Sequence, residues 1–238
     1  MSTPDYEIPP EESFFDFKCP YCGEVNSFPA TSAHTLQECA SCAASIIVPE
    51  AGAETGGKLP LPMSTPRLLL RRFHPDDSAK LLELVAQDET CALPVTESNV
   101  DQFIEQHRGA SFTRSEFVYL ALELVEGAEM AGFVFVSCSD RDRQCAGFTV
   151  TIHPARRRQG LGLEATRAVL DFSFDGLCAR RVAVSCPSQN AAARRMLEKA
   201  GFRPEGEFVK SWFDGKEWVN IAWYALLKEE RTTSSCPV

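Results

Sequence analysis

No apolar run in this 238-residue chain approaches the roughly 20 residues that a membrane-spanning helix needs. The opening residues, MSTPDYEIPPEE, are acidic and contain no hydrophobic signal core. Both absences argue against a membrane or a secretory route, so a cytoplasmic location is expected. Positive charge is also in short supply: 24 Lys and Arg stand against 33 Asp and Glu, a net charge of -9. The deficit is concentrated in residues 1–62, which carry nine acidic and two basic side chains. Such a chain does not attract phosphate backbones in general. Direct nucleic-acid binding is therefore not expected, and any phosphate site has to be local. Internal repeats are absent. What remains, 44% hydrophobic and 24% charged, suits a soluble globular protein with one sizeable core and a small satellite.

Without a secretory signal, the ten cysteines point to thiols or metal rather than to a disulfide scaffold. Six are scattered (Cys91, Cys138, Cys145, Cys178, Cys186, Cys236), mostly in apolar runs where cysteine acts as a small core residue. The other four, Cys19, Cys22, Cys39 and Cys42, are spaced C-x2-C-x16-C-x2-C. Each C-x-x-C folds as a tight turn that aims two thiolates at one ion, and two such turns complete a tetrahedron. Pro20 and Gly23 suit the first turn. A segment with so few core residues needs the free energy of zinc binding to fold. His34 reads as a surface histidine rather than a ligand. The unit resembles zinc-ribbon modules, with CPYCG and CASCA as the two knuckles. A four-cysteine site leaves no open coordination position, so a structural Zn2+ is expected and metal catalysis is not. The acidity of this end favours a protein partner, or a purely stabilising appendage, over nucleic acid.

The domain boundaries follow from composition. Residues 1–13 form an acidic N-terminus that reads as mobile, 14–49 the ribbon, and 50–62 a Gly-, Pro- and Ala-rich linker. Residues 63–230 form the main domain, and 231–238 a polar tail that reads as disordered. Within the main domain, RLLLRRF reads as a strand and HPDDSAKLLELVAQ as a helix, with a second helix near 98–108. EFVYLALELV, AGFVFVSCS and QCAGFTVTIHP read as a three-strand meander. A helix from Leu161, the buried strand RRVAVSC, the helix NAAARRMLEKAGF and a final hairpin across DGKE follow. A meander that passes into strand–helix alternation implies an α/β fold with a mixed central sheet.

Between the third meander strand and the next helix stands HPARRRQGLGLEA. It holds Arg157, Arg158, Gln159, Gly160, Leu161 and Gly162 as R-x-x-G-x-G. Glycines let the backbone approach a ligand, and the N–H groups that open the helix point at an anion. Alone, the motif is equally an ordinary basic loop. In this position it resembles the acetyl-CoA signature of the Gcn5-related (GNAT) N-acetyltransferases, and the likeness covers roughly residues 63–228. NAAARRMLEKAGF resembles that family's second segment, with Asn190 before the helix and Gly201-Phe202 closing it. TPRLLLRRFHPDD and GFRPEGE resemble the branch of ribosomal-protein N-terminal acetyltransferases.

The resemblance implies an acetyl-CoA-dependent N-acetyltransferase acting on a primary amine, either a protein N-terminus or a small molecule. The turn from Arg157 to Gly162 would take the CoA pyrophosphate. The strand containing Thr151 and Ile152 would pair with the pantetheine arm, and Asn190 would bind the cofactor arm or simply cap its helix. Strands 145–152 and 180–186 would splay to admit the thioester. Two family features are missing: Leu197 stands where many relatives have tyrosine, and Ala193 where this branch often has serine. Glu123 remains as candidate base, and Ser185 and Tyr224 as candidate acids. His153 is a base only through water. Without a strong base, the site favours an α-amine of pKa about 8 over a lysine at about 10.4. The same gaps leave open a non-catalytic, acetyl-CoA-binding adaptor whose ribbon docks a protein or ribosomal partner. Trp212, Phe213, Trp218, Trp223 and Tyr224 crowd the final hairpin and read mostly as core.

Overall fold

A computed structural model describes residues 14–33, 35–49, 57–58, 61–88, 91, 93–108, 117–138 and 145–231. The N-terminus 1–13, His34, most of the linker, the DRDRQ turn, Cys236 and the tail from 232 lie outside the described residues. The chain divides into two compact units, residues 1–59 and 60–238.

In the first unit, β1 (Phe14–Lys18) pairs antiparallel with β2 (Val25–Pro29). A second sheet joins β3 (Leu36–Glu38), β4 (Ser45–Ile47) and β5 (Gly57–Lys58). Here the sequence reading needs a correction: the stretch taken as linker supplies β5, which pairs with Ile46 and Ile47. Among the described residues the unit's buried core is Phe17, Cys19, Cys39, Ile46 and Val48, with Phe15 and Phe28 packed against it, few side chains for two sheets. Its stability has to come from elsewhere.

The second unit is built on an eight-stranded mixed sheet in the order β12-β13-β11-β10-β9-β8-β7-β6. The strands are β6 (Met63–Ser64), β7 (Leu68–Arg71), β8 (Phe117–Leu124), β9 (Met130–Cys138), β10 (Cys145–Ile152), β11 (Arg181–Pro187), β12 (Arg203–Phe213) and β13 (Trp218–Leu227). Helices α1 (Ser78–Gln87) and α2 (Val100–Arg108) lie on one face. Leu81, Leu84, Phe103 and Ile104 pack there against Ala121 and Phe133. Helices α3 (Leu161–Asp171) and α4 (Ala191–Lys199) belong to the other face, where Phe148 of β10 meets Phe202 just after α4. The end of α4 is closed by Gly201 at φ 96°, whose N–H donates to Glu198 O while Phe202 N–H donates to Leu197 O. That is the glycine stop expected from the sequence.

Gly132 of β9, at φ 158°, leaves no room for a side chain against β10: an added Cβ would stand 2.0 Å from Thr151 O. Gly132→Ala therefore has to separate the two strands, and a stability loss of about 2 kcal/mol is expected. An unchanged denaturation midpoint would show that the strands have slack here.

The final hairpin departs from the sequence reading. Only Tyr224 is core, whereas Trp212, Phe213 and Trp218 are exposed and Trp223 is partly so. The reason is register: β11 pairs with β13 only as far as Pro187↔Ile221, and β12 is the sheet edge. The far half of the hairpin has no strand beyond it to bury its rings.

Candidate active site and cysteine cluster

β10 and β11 are parallel neighbours, but they pair only at Cys145↔Arg181 and Ala146↔Val182. β10 continues to pair with β9 all the way to Ile152. From Gly147 onward, the edge of β10 that faces β11 is therefore open, and a wedge-shaped gap forms in the middle of the sheet. At its end the chain turns through residues 153–160 into α3.

Arg158 at φ 62° and Gly160 at φ 81° twist this turn into left-handed backbone. Gly160 is the residue that caps α3, and it has no side chain to cap the helix, so among the described residues no side-chain cap bond forms at this helix start. Free amides at a helix start, next to an open strand edge, suit an anionic group with an extended arm.

Three ion-paired struts hold the turn. Arg67 donates to Gln159 O (2.8 Å) and to Glu164 Oε2 (2.7 Å). Glu164, whose pKa is lowered, also accepts from Thr65 Oγ1 and Arg67 N. Arg156 pairs with Glu129, which Lys80 also contacts. Arg157 turns back to donate to Ile152 O (3.0 Å) and to the buried carboxylate of Asp88. Its charge thus braces the turn, leaving the exposed Arg158 as the outward cation of the triplet. Arg67, Glu164 and Asp88 escaped the sequence reading because their partners lie 69 to 97 residues away, beyond any spacing pattern.

Gly162 packs beside α4, with Met196 Sδ 3.2 Å from where a Cβ would stand. Asn190 caps α4 by accepting from Ala193 N (3.0 Å). Its Nδ2 makes no hydrogen bond among the described residues. Leu161 is buried, and Thr151 and Ile152 lie partly buried at the open end of β10.

The three candidate catalytic residues do not converge. Glu123 accepts from Arg71 (2.6 Å), which also grips Asp77. It lines a charged cavity of about 540 Å³ between the start of α1 and β8. The carboxylate is thus committed to the Arg71 guanidinium and stands away from the gap between β10 and β11. Tyr224 is 0% exposed, and its Oη accepts from Arg194 Nε (3.0 Å). It is thus sealed from any bound molecule and anchors α4 to β13. Ser185 is exposed and lies on the opposite face, since Val184 registers with Tyr224 and Ser185 with Trp223. Of the three, only Ser185 borders the gap. His153 is 3% exposed and does not face solvent. Its Nδ1 accepts from Ala155 N, and its Nε2 lies 3.3 Å from Glu83 Oε1, out of line for a hydrogen bond.

In the first unit the four cysteine sulfurs lie within 4.8 Å of one another. Cys19 Sγ is 3.7 Å from Cys42 Sγ, and Cys22 Sγ is 3.8 Å from Cys39 Sγ. Sulfurs at about 2.3 Å from one tetrahedral ion stand about 3.8 Å apart, so the cluster has the dimensions of a metal cage. The two knuckles match bond for bond. Gly23 N donates to Cys19 O as Ala43 N does to Cys39 O, with Gly23 and Ala43 both at positive φ. A hydrogen bond from the backbone of Cys42 brings the Cys39 thiol down to about 6, favouring thiolate. Buried Asn26 donates to Cys39 Sγ and accepts from Ala40 N.

A sheet parted between two parallel strands, with a glycine turn at the mouth of the gap, is the arrangement of the acetyltransferase fold. Residues 67–203 match the Acetyltransferase (GNAT) domain, and the chain belongs to that family. It is 25% identical over 172 residues to the uncharacterized N-acetyltransferase YnaD of Bacillus subtilis, spanning 71% of this chain and 98% of that one. Among solved structures it is similar to a GNAT-family acetyltransferase from Bacillus anthracis (TM-score 0.61, 24% identity, 70% and 98% of the two chains). It is also similar to RimL, a ribosomal L7/L12 α-N-protein acetyltransferase in complex with coenzyme A (TM-score 0.60, 15% identity, 68% and 95% of the two chains). The protein is an N-acetyltransferase. Among the described residues, no helix is long and apolar enough to cross a membrane.

Proposed function

We propose that acetyl-CoA binds with its pyrophosphate on the amides of the turn 157–162 and its pantetheine along the open edge of β10. The acetyl group then lies in the gap and passes to the α-amine of a peptide N-terminus. The observation that carries this reading is the loss of β10–β11 pairing immediately after Ala146. The unbonded N–H and C=O groups of β10 offer the amide-rich arm a strand to pair with. In the transfer the neutral amine attacks the thioester carbonyl, the new C–N bond forms and the C–S bond breaks. The amine gives up a proton, and the departing thiolate takes one, with Ser185 the hydroxyl placed to relay it. No carboxylate free of an ion pair borders the gap among the described residues, which favours an acceptor already partly neutral at pH 7. The CoA-bound neighbour acting on a protein α-amine supports the same choice.

We also read the cysteine cluster as a structural Zn2+ site, held by Cys19, Cys22, Cys39 and Cys42. Exposed Phe14, Tyr21 and Val25 on that unit suit contact with a protein partner.

The test is CoA release with mass spectrometry over peptides, polyamines and aminoglycosides. A gain of one acetyl group on a peptide α-amine is expected, and acetylation confined to lysine side chains would refute the reading. Arg67→Met should weaken acetyl-CoA binding about tenfold by freeing Gln159 and Glu164 from the guanidinium. Calorimetry showing unchanged affinity would remove Arg67 from the site.

A further inference from the structure

The gap has a second side. Residues of alternating parity along a strand face opposite ways, and cross-strand partners share a face. On β10, Ala146 and Phe148 face α4, so Gly147 and Thr149 face the side of α1 and α2. Register then carries one row across the sheet: Tyr119 opposite Phe135, and Phe135 opposite Thr149. Beyond the gap, parallel pairing of Ala146 with Val182 brings Ser185 level with Thr149, and Ser185 is opposite Trp223. Phe208 completes the row, its ring 5.9 Å from that of Trp223.

The mouth of the gap on this face therefore has two aromatic walls. One is Phe117, Tyr119 and Phe135, whose rings are 5.1 to 5.9 Å apart. The other is Trp223 with Phe208. Between them stand the two exposed hydroxyl residues Thr149 and Ser185. Phe117 and Trp223 are each 38% exposed and Phe208 is 58% exposed, so both walls present ring surface toward the space the acceptor must cross. His107 of α2 meets the first wall edge-on, 4.8 Å from Tyr119, and burial lowers its pKa, which favours the neutral imidazole there. Among the described residues, no carboxylate lies in this row.

From this arrangement we propose that the acceptor is a primary amine whose neighbouring carbon bears a hydrophobic side chain, seated between the Phe117–Phe135 and Trp223–Phe208 walls. The inference rests on the proposed transfer site in the gap and specifies what occupies its open face. A polyamine or aminoglycoside, with several positive charges to satisfy, finds no acidic partner in the row. An aliphatic or aromatic side chain finds ring faces on both sides, while its amine reaches the hydroxyls at the gap.

The experiment compares kcat/KM for phenylalaninamide, leucinamide, Phe- and Leu-initiated peptides, a Ser-initiated peptide, spermidine and kanamycin at saturating acetyl-CoA. The hydrophobic amines are expected to exceed the Ser peptide, spermidine and kanamycin by at least about tenfold. Equal use of the amides and the peptides would assign the preference to the first residue alone, as proposed. Phe117→Ala and Trp223→Ala should each raise KM for the Phe acceptors about tenfold, with acetyl-CoA affinity unchanged. Preference for spermidine, kanamycin or the Ser peptide would overturn the inference and leave acetyl transfer intact. So would variants that lower kcat for every acceptor alike. Binding of acetyl-CoA without CoA release for any acceptor of the panel would overturn both readings.

Discussion

Gly160→Trp is expected to raise the Kd for acetyl-CoA at least about 100-fold, or about 2.7 kcal/mol. Gly160 sits at φ 81°, a conformation that costs an ordinary L-residue roughly 1–2 kcal/mol. The residue is exposed, so an indole enters no core. It would instead stand over the free amides at the start of α3, where the pyrophosphate is proposed to bind. A Cβ at this position already lies 3.3 Å from Arg67 Nη2. The larger side chain therefore also pushes the guanidinium from Gln159 O, and the turn loses a strut along with its access. Fold is read separately by circular dichroism and by zinc content, both of which should be retained. Affinity within a few-fold of the parent chain would mean that the cofactor does not use this turn.

Cys39→Ser combined with Cys42→Ser is expected to abolish binding of one zinc per chain and to unfold the first unit while the second keeps its affinity for acetyl-CoA. Among the described residues, the buried core of the first unit is five side chains, two of them cysteines of the cluster. A metal bound by such a cage contributes on the order of 10 kcal/mol or more to folding. Losing two of four ligands removes most of that, and nothing in so small a core replaces it. Zinc content by elemental analysis and limited proteolysis of residues 14–58 read the two effects. A first unit that resists protease without metal would show that its strands suffice. Loss of acetyl-CoA binding would show that the two units share their stability.

The periodicities and punctuation of the chain were enough to place nearly every strand and helix of the second unit, because each is a local property. Gly201 ends α4 through its own φ, and the alternation in QCAGFTVTIHP sets one face of β10 against the other. The C-x2-C pairs were equally legible, since each knuckle closes within five residues. The glycine turn was legible as a motif, and its likeness to a known family supplied the rest of the fold. The catalytic assignments fared differently. Glu123 looked available until Arg71 and Asp77 were brought beside it, and Tyr224 looked like an acid until it was sealed under Arg194. Arg157 looked like a phosphate ligand, yet it spends its charge on Asp88. Each of these outcomes depends on a partner many residues distant, and no local pattern encodes such a pairing. The sequence by itself determined the elements, the cysteine quartet and the family. Only the tertiary structure decided which charges are spent holding the turn, which aromatic residues stay exposed, and where the sheet parts, because those depend on register and contact between strands far apart in the chain.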